Sequence, residues 1–331
     1  MLPNVIGSIL AAALMMAAGT PAASEPAPPL SGERMQAAYW NELATSLAGS
    51  EDAHDLLTAA LVTTLPGKET TQAASRVADL LARAERAAPA DPLVWWVAAS
   101  RCEPAGAGCD EAQAAARTHL LRVDPDNAVH WLLQMAQAWK AGARTEAYAA
   151  LANAAAASRA DDHLVALALM IAKRIEAHPP SPALLHSNDK DAQVREFAMA
   201  GGMAVTTATT IPQWKPLLDA CNAPAESASA QHCLAVARLL QDSNSMLGAR
   251  IGYALEQRMD GAARPVVTER RRQLDWMITQ YARLGEDGDT TTSWLASLQQ
   301  SGNEQHALRT VLLANGIPLQ PPADWTGPRA D

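Results

Sequence analysis

Phenylalanine occurs once in the 331 residues, at Phe197, and tyrosine four times, against nine tryptophans. β-Branched residues are sparse and alanine is abundant, which excludes an all-β core. Charge is scarce as well, with 18% charged and 49% hydrophobic residues, so the chain has enough apolar surface to fold. A basic face is missing. Net charge is −9 and the pI about 5.4, so no nucleic-acid partner is expected. Catalytic signatures are missing too: there is no Gly-x-Ser-x-Gly elbow, His-Glu-x-x-His, phosphate loop or dinucleotide fingerprint. Leu65-Pro66-Gly67-Lys68 lacks the upstream glycine of a phosphate loop. No catalytic residue, cofactor or metal site is assigned on these grounds.

What is present begins with an address. Val5 to Ala18 forms an apolar stretch of about 15 residues, long enough for a signal-peptide core and short for a membrane span of roughly 20. Ala22 and Ser24 would occupy the small positions before a cleavage site, although no Lys or Arg precedes the apolar core. Residues 1–24 are therefore expected to be a signal peptide and 25–33 a Pro-rich linker, with folding from near Arg34. No other stretch is long and apolar enough to cross a membrane, so no stable insertion is expected after cleavage. The expected location is periplasmic or secreted. The four cysteines form two local pairs, Cys102 with Cys109 and Cys221 with Cys233. In an exported chain that even count favours two disulfides over a metal knuckle.

The strongest internal signal is a repeat. Pro89-Ala90-Asp91-Pro92-Leu93-Val94-Trp95 returns as Pro125-Asp126-Asn127-Ala128-Val129-His130-Trp131, with Pro and Trp six apart both times. Val129, Leu132, Leu133, Ala136 and Trp139 share one helical stripe. Ala147, Leu151, Ala154 and Ala155 form a second, small enough for close helix approach. Neither stripe is buried by its own helix, so hairpins must stack. Over roughly residues 70–177 this pattern resembles the tetratricopeptide repeat, whose hairpins carry an early large aromatic and small residues at the helix crossing. Trp95 and Trp131 match the aromatic, and Ala147, Leu151 and Ala154 the second-helix positions. Gln134, Ala138 and Arg159 depart from the family's preferences.

The resemblance implies an all-α fold, a right-handed α-solenoid of stacked antiparallel helix pairs. Residues 34–177 are expected to form the helical-repeat half and 178–188 a Pro-rich connector. Residues 189–316 should form a second hairpin half, and 317–331 an irregular tail. Within that second half, Gly201-Gly202 is expected to end one helix, and Thr206 to Thr210 reads as a connector before Pro212. Asp124/Asp126 and Asp161-Asp162 read as helix caps.

Two function classes follow. The first is a non-catalytic periplasmic binding or scaffolding protein that holds a peptide or protein partner of the cell envelope on a concave helical face. Arg101, His130, Gln134 and Gln137 are its candidate contact residues. The alternative is a cell-envelope enzyme on an all-helical scaffold acting on peptidoglycan or polysaccharide. An exposed Trp cluster beside two carboxylates roughly 5–10 Å apart would mark that second class.

Overall fold

A computed structural model of the chain describes residues 31–65, 71–100, 107–185, 190–222, 227–259, 264–285 and 290–327. The expected signal peptide, most of the expected linker, Arg101 and Cys102, and the side chain of Cys109, lie outside the described residues. The fold is all-helical, with fifteen α-helices and no β-strand among the described residues. They are α1 (Ser31–Ala48), α2 (Ala53–Thr63), α3 (Thr71–Ala87), α4 (Pro92–Ser100), α5 (Ala107–Val123), α6 (Ala128–Lys140), α7 (Arg144–Ala156), α8 (Leu164–Ala177), α9 (Lys190–Thr210), α10 (Lys215–Asn222), α11 (Ser227–Gln241), α12 (Met246–Met259), α13 (Arg264–Leu284), α14 (Thr290–Ser301) and α15 (Glu304–Ala314). No described helix is long and apolar enough to cross a membrane.

Sequence neighbours pack as hairpins: α2 with α3, α4 with α5, α6 with α7, α8 with α9, α11 with α12 and α14 with α15. On α7, Ala147, Leu151 and Ala154 are fully buried against α6, where their small size lets the helices approach closely. The two Pro–Trp spacings have one physical cause. Trp95 Nε1 donates to the Pro89 carbonyl and Trp131 Nε1 to the Pro125 carbonyl, each at 2.8 Å. Each indole thus ties the first turn of its helix to the chain arriving from the previous hairpin. Both rings are half-buried and packed on the core, while the neighbouring Trp96 is wholly buried.

The packing is not a simple line of hairpins. Helix α2 also touches α8 and α9, α11 packs on α7, and α9 touches α14. Arg174 on α8 makes ion pairs with Asp52 and Asp55 at the start of α2, at 2.9 and 3.0 Å. The Tyr39 hydroxyl donates to the His178 carbonyl at 3.0 Å. One buried cluster consequently runs from Tyr39 to Val311, and a smaller one joins α12, α13 and α15. Tail residues 317–327 lack regular structure yet lie along α13. Arg272 donates to the carbonyls of Pro322 and Trp325, Trp276 Nε1 donates to that of Pro318, and Trp325 sits edge-on to Trp276.

Three local expectations are corrected. Gly201-Gly202 does not end a helix; α9 runs through it. A Cβ on Gly202 would collide with the Ala168 carbonyl oxygen of α8, so glycine here permits a close helix crossing. Thr206 to Thr210 is helical rather than a connector. The Thr209 and Thr210 hydroxyls donate to the carbonyls of Val205 and Thr206, four residues back, which satisfies them inside a helix. Finally, α1 begins at Ser31, inside the expected linker. The second cysteine pair is as expected: Cys221 and Cys233 form a disulfide that joins α10 to α11, with Cα atoms 5.9 Å apart.

Candidate functional site

Three polar turns converge: residues 157–163 between α7 and α8, 242–245 between α11 and α12, and 302–303 between α14 and α15. Each must supply caps for the helix that follows, and the capping side chains also bond the turns to one another. Asp161 Oδ1 accepts from His163 N at 2.8 Å and from Asn244 Nδ2 at 2.9 Å. Asp162 Oδ1 accepts from Leu164 N at 3.2 Å, and its Oδ2 accepts from the Ser245 hydroxyl at 2.6 Å. Glu304 N donates to the Asn244 carbonyl, and Glu304 Oε2 accepts from Met246 N at 2.7 Å. Gln305 Nε2 donates to the Gln241 and Ser243 carbonyls. Burial pushes the Asp162 carboxyl up and raises that of Glu304 to about 7, the nearby Asp162 charge adding to the latter.

A polar groove opens above these turns. Its larger cavity, about 570 Å³, is lined by Gln241, Asp242, Tyr253, Ser301, Asn303, Gln305, His306 and Arg309. The adjoining one, about 320 Å³, is lined by residues 158–161 with Leu239, Asp242, Asn244 and Asn303. Asp242 and Asn303 border both, so the two lie side by side. Charges of both signs face the opening, with Arg159 and Arg309 against Asp161 and Asp242.

Behind Arg159 and Asp161 lies a buried cluster. Asp124 follows the end of α5 and, contrary to expectation, is not a cap. Asn127 caps α6 through Oδ1 to Val129 N. Asp124 instead accepts from Arg159 Nη2 at 2.6 Å and places Oδ2 3.5 Å from His130 Nδ1. His130 Nε2 lies 2.8 Å from His163 Nε2, with the rings stacked and their centroids 5.1 Å apart. Trp96 packs against both rings. His130 and His163 are 1% and 3% exposed. Burial lowers the pKa of both; that of His130 falls to about 4, pressed further by His163. His163 also holds a left-handed backbone, with φ 58°, uncommon for a residue other than glycine and costly to maintain.

The expected contact residues fare unevenly. His130 is buried and cannot lie on a binding face, because its ring is enclosed by Trp96, Asn127 and His163. Gln134 is exposed and Gln137 half-buried on α6, and neither borders the groove. The groove residues were missed because they come from turns brought together only by the packing of distant helices. The one available signal was the run of capping residues at 242–245 and 301–304. None of the nine tryptophans is exposed, so the exposed Trp cluster that would mark a glycan-cleaving enzyme is absent. Comparison with protein-family models, with curated proteins and with solved structures gives no match.

Proposed function

We propose that this chain is an exported, periplasmic binding or scaffolding protein whose tetratricopeptide-like helical hairpins hold a segment of a protein partner in the groove between α7, α11 and α15. The observation that carries the reading is the groove's lining. The side-chain amide of Asn303 can pair with a peptide backbone, and Arg159, Arg309, Asp161 and Asp242 can read side chains of either sign. The walls are helix termini bonded to one another, so the groove is pre-formed and little ordering is needed on binding. The Cys221–Cys233 disulfide suits an oxidising compartment, and the apolar stretch at Val5 to Ala18 supplies a route to it.

The test is capture from native cell envelope with the mature protein, run beside a doubly charge-reversed variant, Asp242→Arg with Arg309→Glu. Both side chains are exposed, so the variant is expected to keep its helical circular dichroism. A partner held by the parent protein and lost by the variant supports the groove. Equal capture by both, or none by the parent, overturns it.

A further inference from the structure

His130 and His163 bring one ring nitrogen each to within 2.8 Å in a buried pocket beside a carboxylate. Asn127 Oδ1 accepts from Val129 N and from Asp161 N, so the Asn127 amide is oriented with Nδ2 as donor. That nitrogen points at His130 Nε2, 3.1 Å away. His130 Nδ1 faces the Asp124 carbonyl at 3.1 Å. His130 therefore carries its proton on Nδ1 and a lone pair on Nε2. His163 Nε2 stands 2.8 Å from that lone pair. If His163 is protonated on Nε2, it shares that lone pair with Asn127 Nδ2, which also donates to the Asp161 carbonyl at 2.9 Å, and its own Nδ1 lone pair is turned toward Asp161 Oδ2, 3.7 Å away. If it is protonated on Nδ1, two lone pairs converge on one point.

We infer that Asp124, His130 and His163 form a binding site for a divalent transition-metal ion of the zinc class. One ligand atom from each lies within 4.8 Å of the others. Two imidazoles and one carboxylate match the borderline donor set of such ions, not the all-oxygen shells of calcium or magnesium. The outer partners fit as well. The non-ligating nitrogen of His130 donates to a backbone carbonyl, and that of His163 faces a carboxylate, as metal-bound histidines require. Zinc–nitrogen bonds of about 2.0–2.1 Å in tetrahedral geometry separate two ring nitrogens by about 3.3 Å, so the pair need open by only about half an ångström. His163 stands in the cluster on a left-handed backbone, a conformation costly for a residue other than glycine. Arg159 and Asp161 border both cluster and groove, so the site lies directly behind the groove. The inference stands apart from the proposed partner binding.

The test uses metal-stripped full-length protein. Calorimetric titration with Zn²⁺ should show one ion per chain, and Co²⁺ should give visible absorption of a four-coordinate site. His163→Ala and Asp124→Asn should each weaken Zn²⁺ binding at least tenfold, whereas His54→Ala with His119→Ala should not. Ring-nitrogen NMR of the unaltered protein covers the case in which a variant fails to fold: Zn²⁺ should shift the resonances of two histidines, His130 and His163. No bound ion, undiminished binding by the variants, or shifts at other histidines would overturn the site.

Discussion

Glu304 is the first residue of α15, 5% exposed, with one oxygen accepting from Met246 N. Burial lifts its carboxyl from the ordinary 4.5 to about 7. The folded pKa lies above the unfolded one, so its contribution to stability is fully present below about pH 4.5, where both states hold the proton. It fades as pH rises toward 7 and is gone above that, once both are ionised. At about 1.4 kcal/mol per pH unit, a gap of about two and a half units corresponds to about 3 kcal/mol. Glu304→Gln keeps the acceptor for Met246 N and never ionises. Urea unfolding followed by circular dichroism at pH 4.5, 6 and 8, for parent and variant together, isolates the effect. The stability of the variant relative to the parent should climb by about 3 kcal/mol across that range. A difference that stays level with pH, within about 0.5 kcal/mol, would refute the argument that this carboxyl is held in a water-poor junction.

Two further outcomes follow from the packing. Gly202→Ala would add about 1 kcal/mol to an isolated helix, but here the new methyl meets the Ala168 carbonyl of α8. A net loss of about 2–3 kcal/mol is expected by thermal unfolding, against a small gain for Gly32→Ala, where nothing lies within 4 Å; equal behaviour would sink the close-crossing argument. Trp131→Phe removes the indole bond to the Pro125 carbonyl and should cost about 1 kcal/mol. A neutral result would mean the Pro–Trp spacing does not rest on that bond.

Much of the helical layout could be read from the chain. Apolar stripes such as Leu132 with Ala136 on α6 and Leu308 with Leu312 on α15 are local signals, and both pairs are buried as their spacing requires. Pro179 beyond α8, and Gly302 and Gly316 at positive φ, mark the ends where punctuation predicts them. The failures share a cause: each concerns a residue whose role is set by a distant partner. Gly202 reads as a stop until α8 is laid against it. Thr206 to Thr210 reads as a connector until the Thr209 and Thr210 hydroxyls find carbonyls one turn back. Asp124 reads as a cap, although its partners are Arg159 and His130. The histidine pair, 33 residues apart, was hidden because nothing local shows that the turn before α8 lies against the first turn of α6.

The links from Arg174 to Asp52 and Asp55, and from Tyr39 to His178, span well over a hundred residues. A chain of independent modules can solidify one unit at a time as it lengthens. Here the opening helices stay without these clasps until the eighth has arrived, and loop closure on that scale slows assembly. The molecule is thus built to latch late. Fragments that stop short of residue 178 should be sticky and short-lived, however well each hairpin forms alone.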